Sequence, residues 1–113
     1  MITNALAVKR QLVHLRRMLF ERLGSDRYSW LALNALDRKL LPYLSYQAGF
    51  FVELGANDGL SQSNTYYYER WQGWRGILIE PVPELCQRAA RPANGTLVGF
   101  YFPEVMAYAC GTA

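Results

Sequence analysis

Phe50-Phe51-Val52-Glu53-Leu54-Gly55-Ala56-Asn57-Asp58-Gly59 is the stretch that decides how this 113-residue chain folds. Its first half is a short, almost continuous apolar run rich in β-formers, with Gly49 before it and Gly55 after it. Such a run predicts a strand buried on both faces of a parallel sheet. Gly55 to Gly59 then reads as a tight loop leaving the carboxyl end of that strand.

Downstream the same signals repeat. Ser63 or Asn64 caps a helix from Thr65 to Trp71, closed by Gly73. Gly76-Ile77-Leu78-Ile79-Glu80 is a second strand ended by Pro81, Pro83 opens a helix running to about Arg91, and Thr96–Phe102 is a third strand. Upstream, Val8, Leu12, Leu15, Leu19 and Leu23 recur at helical spacing and predict an amphipathic helix over Ala5–Leu23, with Gly24 as its stop. A second helix is expected from Ser29, as N-cap, to Leu41, ended by Pro42. Residues 1–49 are thus a helical lead-in and 50–113 an α/β unit whose parallel strands are joined by right-handed helical crossovers.

Composition narrows the function classes. With 51% hydrophobic and 19% charged residues the chain is neither disordered nor fibrous. The net charge of +3 divides into +5 over residues 1–49 and −2 over 50–113, which argues against nucleic-acid binding by the whole chain. The basic first helix reads as peripheral, with a solvated charged face rather than a lipid-binding one. No apolar stretch approaches the ~20 residues of a membrane span. Lys9 and Arg10 interrupt any signal-peptide core, so a cytoplasmic location is expected. Cys86 and Cys110 match no metal-ligand spacing and read as free thiols packed as small hydrophobes. Tyr66, Tyr67, Tyr68, Trp71 and Trp74 read as core rather than as a stacking platform.

The chemistry is carried by two acids and a glycine loop. In open α/β sheets ligands bind beyond the carboxyl ends of the strands. Glycines there let backbone N–H groups approach a ligand closely. Glu80 closes the second strand 27 residues after Glu53, where it can accept hydrogen bonds from both hydroxyls of a ribose. The spacing E-x-G-x-N-x-G lacks the third glycine of a dinucleotide loop, which sets aside a nicotinamide-dependent module, and no nucleoside-triphosphate loop is present. Glu53 at the first strand end would repel a diphosphate but can hold a methionine amino group, directly or through a water. S-adenosylmethionine is the cofactor these features favour.

Three segments carry a resemblance. Phe51–Gly59, then Ser61-Gln62-Ser63-Asn64-Thr65, then Gly73-Trp74-Arg75-Gly76-Ile77-Leu78-Ile79-Glu80-Pro81 resemble the FkbM-type methyltransferases, and the similarity extends over residues 36–92. The resemblance implies a Rossmann-like class I methyltransferase fold and S-adenosylmethionine-dependent O-methylation of hydroxyls on sugars, glycans or polyketides. Matched by position, Glu53, Gly55, Ala56, Asn57, Asp58 and Gly59 form the first cofactor motif, Glu80 holds the ribose, and Ser63 and Asn64 line the loop. No general base is indicated, since the single histidine, His14, lies in the basic helix. The match fades after Arg91-Pro92. The expectation is therefore the N-terminal part of such an enzyme, truncated to about three parallel strands and inactive alone. The alternative is a non-catalytic remnant that binds cofactor or another chain. An open apolar edge on the first strand would then be available for self-association.

Overall fold

The computed structural model describes residues 2–89, 97–102 and 105–112, with side chains described from residue 4 to residue 89. The chain forms two compact units, Met1–Trp30 and Leu31–Ala113.

The first unit is helix α1 (Ile2–Arg22) and the turn that follows it. Its apolar stripe is exposed: Val8, Leu12, Leu15, Leu19 and Leu23 all face solvent. The buried positions are instead Arg17 and Glu21, which pair at 3.2 Å, while the Ser29 hydroxyl donates to Glu21 Oε1 at 2.8 Å. The returning turn selects this side of the helix. Tyr28 meets the Phe20 ring edge-on at 4.7 Å and lies under the Arg16 guanidinium at 3.9 Å. Ser29, expected as an N-cap, is fully buried and anchors this polar contact. No helix among the described residues is long and apolar enough to cross a membrane.

The second unit is a small α/β domain. The helix expected over Ser29–Leu41 is replaced by a 3₁₀ turn (Leu33–Ala35) and a short helix α2 (Leu36–Leu40). Asn34 and Ala35, within that 3₁₀ turn, adopt left-handed backbone, each with φ of 55°. The fully buried Asp37 explains the break. Its carboxylate accepts the Ala32 N–H at 3.1 Å and the Arg38 N–H at 2.8 Å, so the chain turns around this side chain instead of continuing a helical ladder.

Strand β1 (Phe50–Leu54) leads to helix α3 (Tyr66–Gln72), strand β2 (Arg75–Ile79), helix α4 (Pro83–Ala89), strand β3 (Leu97–Phe102) and strand β4 (Val105–Thr112). The strands form one sheet in the order β1-β2-β3-β4, the first three parallel and β4 antiparallel to β3. The final strand β4 carried no readable signal in the sequence. The end of the helix expected to reach Arg91 lies outside the described residues.

β1 is not buried on both faces. Phe51 and Glu53 are buried while Phe50, Val52 and Leu54 are exposed. Right-handed crossovers in consecutive strand order would put both connecting helices on one face, and on the other face the β1 side chains Phe50, Val52 and Leu54 are exposed while Ile77 and Ile79 of β2 are half-buried. The covered side holds Phe51, Leu78, Tyr66, Tyr67, Tyr68, Cys86 and Ala89. Residues 31–49 fold with the sheet. Tyr68 donates its hydroxyl to the Asp37 carbonyl at 2.8 Å, and Trp74 donates Nε1 to the Tyr46 carbonyl at 2.8 Å. The tyrosines and Trp74 are core, as their spacing predicts. Cys86 is disulfide-bonded, which corrects the free-thiol expectation at that position and removes it from the case for a reducing compartment. The side chain of Cys110 lies outside the described residues.

Gly76 sits opposite Phe51 in the β1–β2 register, and a Cβ there would run into the Phe51 carbonyl and its ring. Gly76→Ala is expected to lower stability by about 1–3 kcal/mol, since backbone cannot yield as a side-chain tip does. Urea unfolding followed by circular dichroism measures this, and an unchanged midpoint would contradict the strand register.

Candidate functional site

The loop from Gly55 to Thr65 leaves the carboxyl end of β1 and enters α3. Four of its residues, Gly55, Asn57, Gly59 and Gln62, have positive φ between 56° and 79°. Gly55 faces open space, whereas a Cβ on Gly59 would lie 3.1 Å from the Ala89 Cα on α4. Glycine at 59 is therefore required twice, by its backbone conformation and by the close approach of α4. The buried Ala56 donates its N–H to the Ile79 carbonyl at 3.0 Å, and the Gly59 N–H closes a turn on the Ala56 carbonyl at 2.9 Å. The loop is thereby folded across the end of β2.

Glu80 completes that tie. It follows β2 directly, is buried, and accepts the Asn57 N–H on Oε2 at 2.6 Å and the Val82 N–H on Oε1 at 3.1 Å. An ionised carboxylate offers about four acceptor positions, so roughly two remain for a ligand. Glu53, also buried, is more fully used. Its Oε1 accepts the Asn64 N–H at 2.9 Å, and its Oε2 accepts the Thr65 hydroxyl at 2.6 Å and the Ser63 hydroxyl at 3.3 Å. Ser63 Oγ in turn accepts the N–H groups of Thr65 at 3.2 Å and Tyr66 at 3.0 Å, capping the start of α3. Glu53 thus fixes where the helix begins.

Both acids stand at one end of the sheet. Glu53 is in register with Leu78, and Glu80 lies two residues beyond Leu78 on the neighbouring strand. Between them the loop presents the open backbone at Gly55. A carboxylate-lined, acceptor-rich corner of this kind suits hydroxyl and ammonium donors and disfavours phosphate.

Asp58 serves the loop itself. Its Oδ1 accepts the N–H groups of Leu60 at 3.0 Å and Ser61 at 2.7 Å, and its Oδ2 accepts the Ser61 hydroxyl at 2.9 Å. Burial pushes its pKa upward. The Ser61 and Leu60 N–H groups, the Ser61 hydroxyl and the Arg88 charge outweigh that effect and hold it below its ordinary value of 3.8. Asn57 accepts the Asp58 N–H on its own side-chain oxygen at 2.7 Å. Sequence reasoning missed Thr65 and Asp37. For Thr65 a signal existed, a second hydroxyl two residues after Ser63 at a helix entrance. For Asp37 nothing distinguished a buried backbone acceptor from an exposed helix charge. The Nε1 of Trp71, at the far end of α3, is buried without a hydrogen-bond partner among the described residues.

Compared with protein-family models, curated proteins and solved structures, the chain matches none.

Because folding lowers the Asp58 pKa, its ionised form adds stability above about pH 4, and that contribution is lost as the pH falls through the lower folded value. Asp58→Asn is therefore expected to cost about 1 kcal/mol at neutral pH, a modest figure because solvent reaches the loop. It should also flatten the fall in stability below about pH 4. Denaturant midpoints of both proteins across the acid range check this, and identical acid profiles would remove Asp58 from the account.

Proposed function

We propose that this chain is the cofactor-binding part of an S-adenosylmethionine-dependent O-methyltransferase of the FkbM type, built on a Rossmann-like class I fold. Its acceptors are hydroxyls of sugars, glycans or related metabolites. The observation that carries the reading is the meeting of Glu53, the Gly55–Gly59 loop and Glu80 at the carboxyl ends of two adjacent parallel strands. In open α/β sheets ligands bind beyond the carboxyl ends of the strands, and an acid on the second strand suits a ribose diol.

In this reading Glu80 keeps its ties to Asn57 and Val82 and uses its remaining acceptor positions for the two ribose hydroxyls. The exposed backbone at Gly55, with Ala56, Asn57 and Gly59 shaping the turn, leaves room for the methionine portion. Glu53 holds Ser63, Asn64 and Thr65 in place and offers its residual acceptor capacity to the amino group, directly or through a water. S-adenosylmethionine supplies an activated methyl on a sulfonium sulfur, and transfer is an in-line displacement in which positioning contributes most of the rate.

A second reading is a non-catalytic cofactor-binding or interaction fragment. One observation favours it: the loop contains no histidine or lysine, and Asp58 and Glu53 spend their carboxylates on the loop's own N–H and hydroxyl groups. No general base for a hydroxyl acceptor stands among these residues.

Calorimetry with S-adenosylhomocysteine tests binding. The expected result is a saturable heat, with Glu80→Gln weakening affinity by about tenfold or more through loss of charge-assisted hydrogen bonds. Absence of any heat from the folded chain would overturn the cofactor assignment. Methyl transfer to a glycan acceptor then separates the enzyme from the non-catalytic fragment.

A further inference from the structure

The second half of the loop is held by a segment that precedes the sheet. Ala32 and Gln62 form an isolated parallel bridge, so the chain near Ala32 runs beside the loop just before it enters α3. Gln62 has left-handed backbone with φ of 58°, and Asn34 and Ala35, in the turn that follows Ala32, share that conformation. None of the three is glycine. Such backbone is costly for a residue with a Cβ and persists where its surroundings over-determine it.

Asp37 supplies that determination. It is fully buried, its Oδ2 accepting the Ala32 N–H at 3.1 Å and its Oδ1 the Arg38 N–H at 2.8 Å. The Ala32 carbonyl accepts the Ala35 N–H at 3.3 Å, so both backbone groups of Ala32 are spent within the turn. The Asp37 carbonyl accepts the Tyr68 hydroxyl at 2.8 Å, which ties the same turn to α3. Asp37 thus stands between the helix that the loop enters and the residue that bridges to the loop. Directly after Gln62 come Ser63 and Asn64, which give Glu53 a hydroxyl at 3.3 Å and an N–H at 2.9 Å.

We infer that Asp37 is a positioning residue of the site, holding Gln62 in its left-handed conformation through Ala32 and so placing Ser63 and Asn64 around Glu53. Glu80 anchors the first half of the loop at Asn57, and Asp37 anchors the second half from outside the sheet. Asparagine at position 37 keeps the size but has one acceptor oxygen, so one of the two N–H groups would face an amide donor. A buried N–H left unpaired opens the turn. The consequence for ligand affinity rests on the cofactor reading above, whereas the consequence for the loop does not.

Amide exchange of the 113-residue chain, read by NMR, tests the inference. Asp37→Asn should speed exchange at Ser63 and Asn64 by about tenfold or more, while Asn57 and the β1–β2 amides change by less than about twofold. Adding Gln62→Gly should recover most of that protection, because glycine adopts left-handed backbone without being held there. Tyr68→Phe, which spares the carboxylate and its two N–H partners, should leave Ser63 and Asn64 as they were. In titrations with S-adenosylhomocysteine, Asp37→Asn should weaken affinity about three- to tenfold, with the same rescue by Gln62→Gly.

Unchanged exchange at Ser63 and Asn64 overturns the inference. So does a uniform rise that includes the β1–β2 amides, an equal loss in Tyr68→Phe, or a failure of Gln62→Gly to rescue. If the parent chain gives no heat with S-adenosylhomocysteine, the cofactor reading falls and amide exchange alone decides the role of Asp37. Should Asp37→Asn fail to fold, Ala32→Pro removes the same N–H at a φ of −66° that proline accepts, and exchange at Ser63 and Asn64 in that variant decides.

Discussion

The hydrogen bond from the Asn57 N–H to Glu80, at 2.6 Å, is the constraint on which the rest of this corner depends. It joins the first turn of the loop to the strand that follows one crossover later, and the Ala56 N–H to the Ile79 carbonyl runs beside it. A buried carboxylate left without such donors would carry a heavy desolvation cost, so the acid and the loop hold each other in place. Positive φ at Gly55, Asn57 and Gly59 is then the conformation that brings those N–H groups within reach. Glu53 does the same on the opposite side of the loop, gathering Ser63, Asn64 and Thr65 and so setting the first residue of α3. Two acids in sequence become two anchors of one loop.

That arrangement explains why strand pairing and site geometry cannot be separated. The β1–β2 register brings Glu53 level with Leu78, and Gly76 permits the close approach of Phe51 that the register requires. A slip of one residue would turn Glu53 to the uncovered face and undo its three donors. Tyr66, Tyr67, Tyr68 and Trp74 are buried, and a chain of ring contacts runs from Tyr67 through Tyr68 and Trp74 to Tyr46, which lies 4.9 Å from Trp74. The Tyr68 hydroxyl donates to the Asp37 carbonyl, and burial, followed by the nearby Asp37 and Tyr67, raises its pKa above the ordinary value.

Much of this was legible in the residues. The runs at 50–54 and 76–80, the glycine loop and the helix after Ser63 are local signals, and local signals survive folding, the second strand shifted by one residue to Arg75–Ile79. What failed was tertiary. Periodicity predicted that Val8, Leu12, Leu15 and Leu19 would be the packed face of α1, but a returning turn with Tyr28 and Ser29 chose the Arg17–Glu21 side. Leucine spacing predicted a helix through residues 34 and 35, but Asp37 drew the Ala32 N–H to its carboxylate and broke it. β1 looked like a strand covered twice because apolar content does not reveal how many helices lie over a sheet. The two acids were placed at the correct strand ends by spacing alone, yet their loop partners, Thr65 above all, depend on three-dimensional contacts that spacing cannot supply.

The most direct test of the account is amide hydrogen exchange at Asn57, read by NMR in the native protein. Its N–H sits in an exposed turn outside any helix or ladder, so Glu80 alone accounts for its protection. Exchange slowed by at least about a hundredfold relative to an unstructured peptide, and lost in Glu80→Ala while the β1–β2 amides stay protected, is the predicted result. An Asn57 amide that exchanges at the unstructured rate in the intact protein would contradict the anchored loop, and with it the site built on that loop.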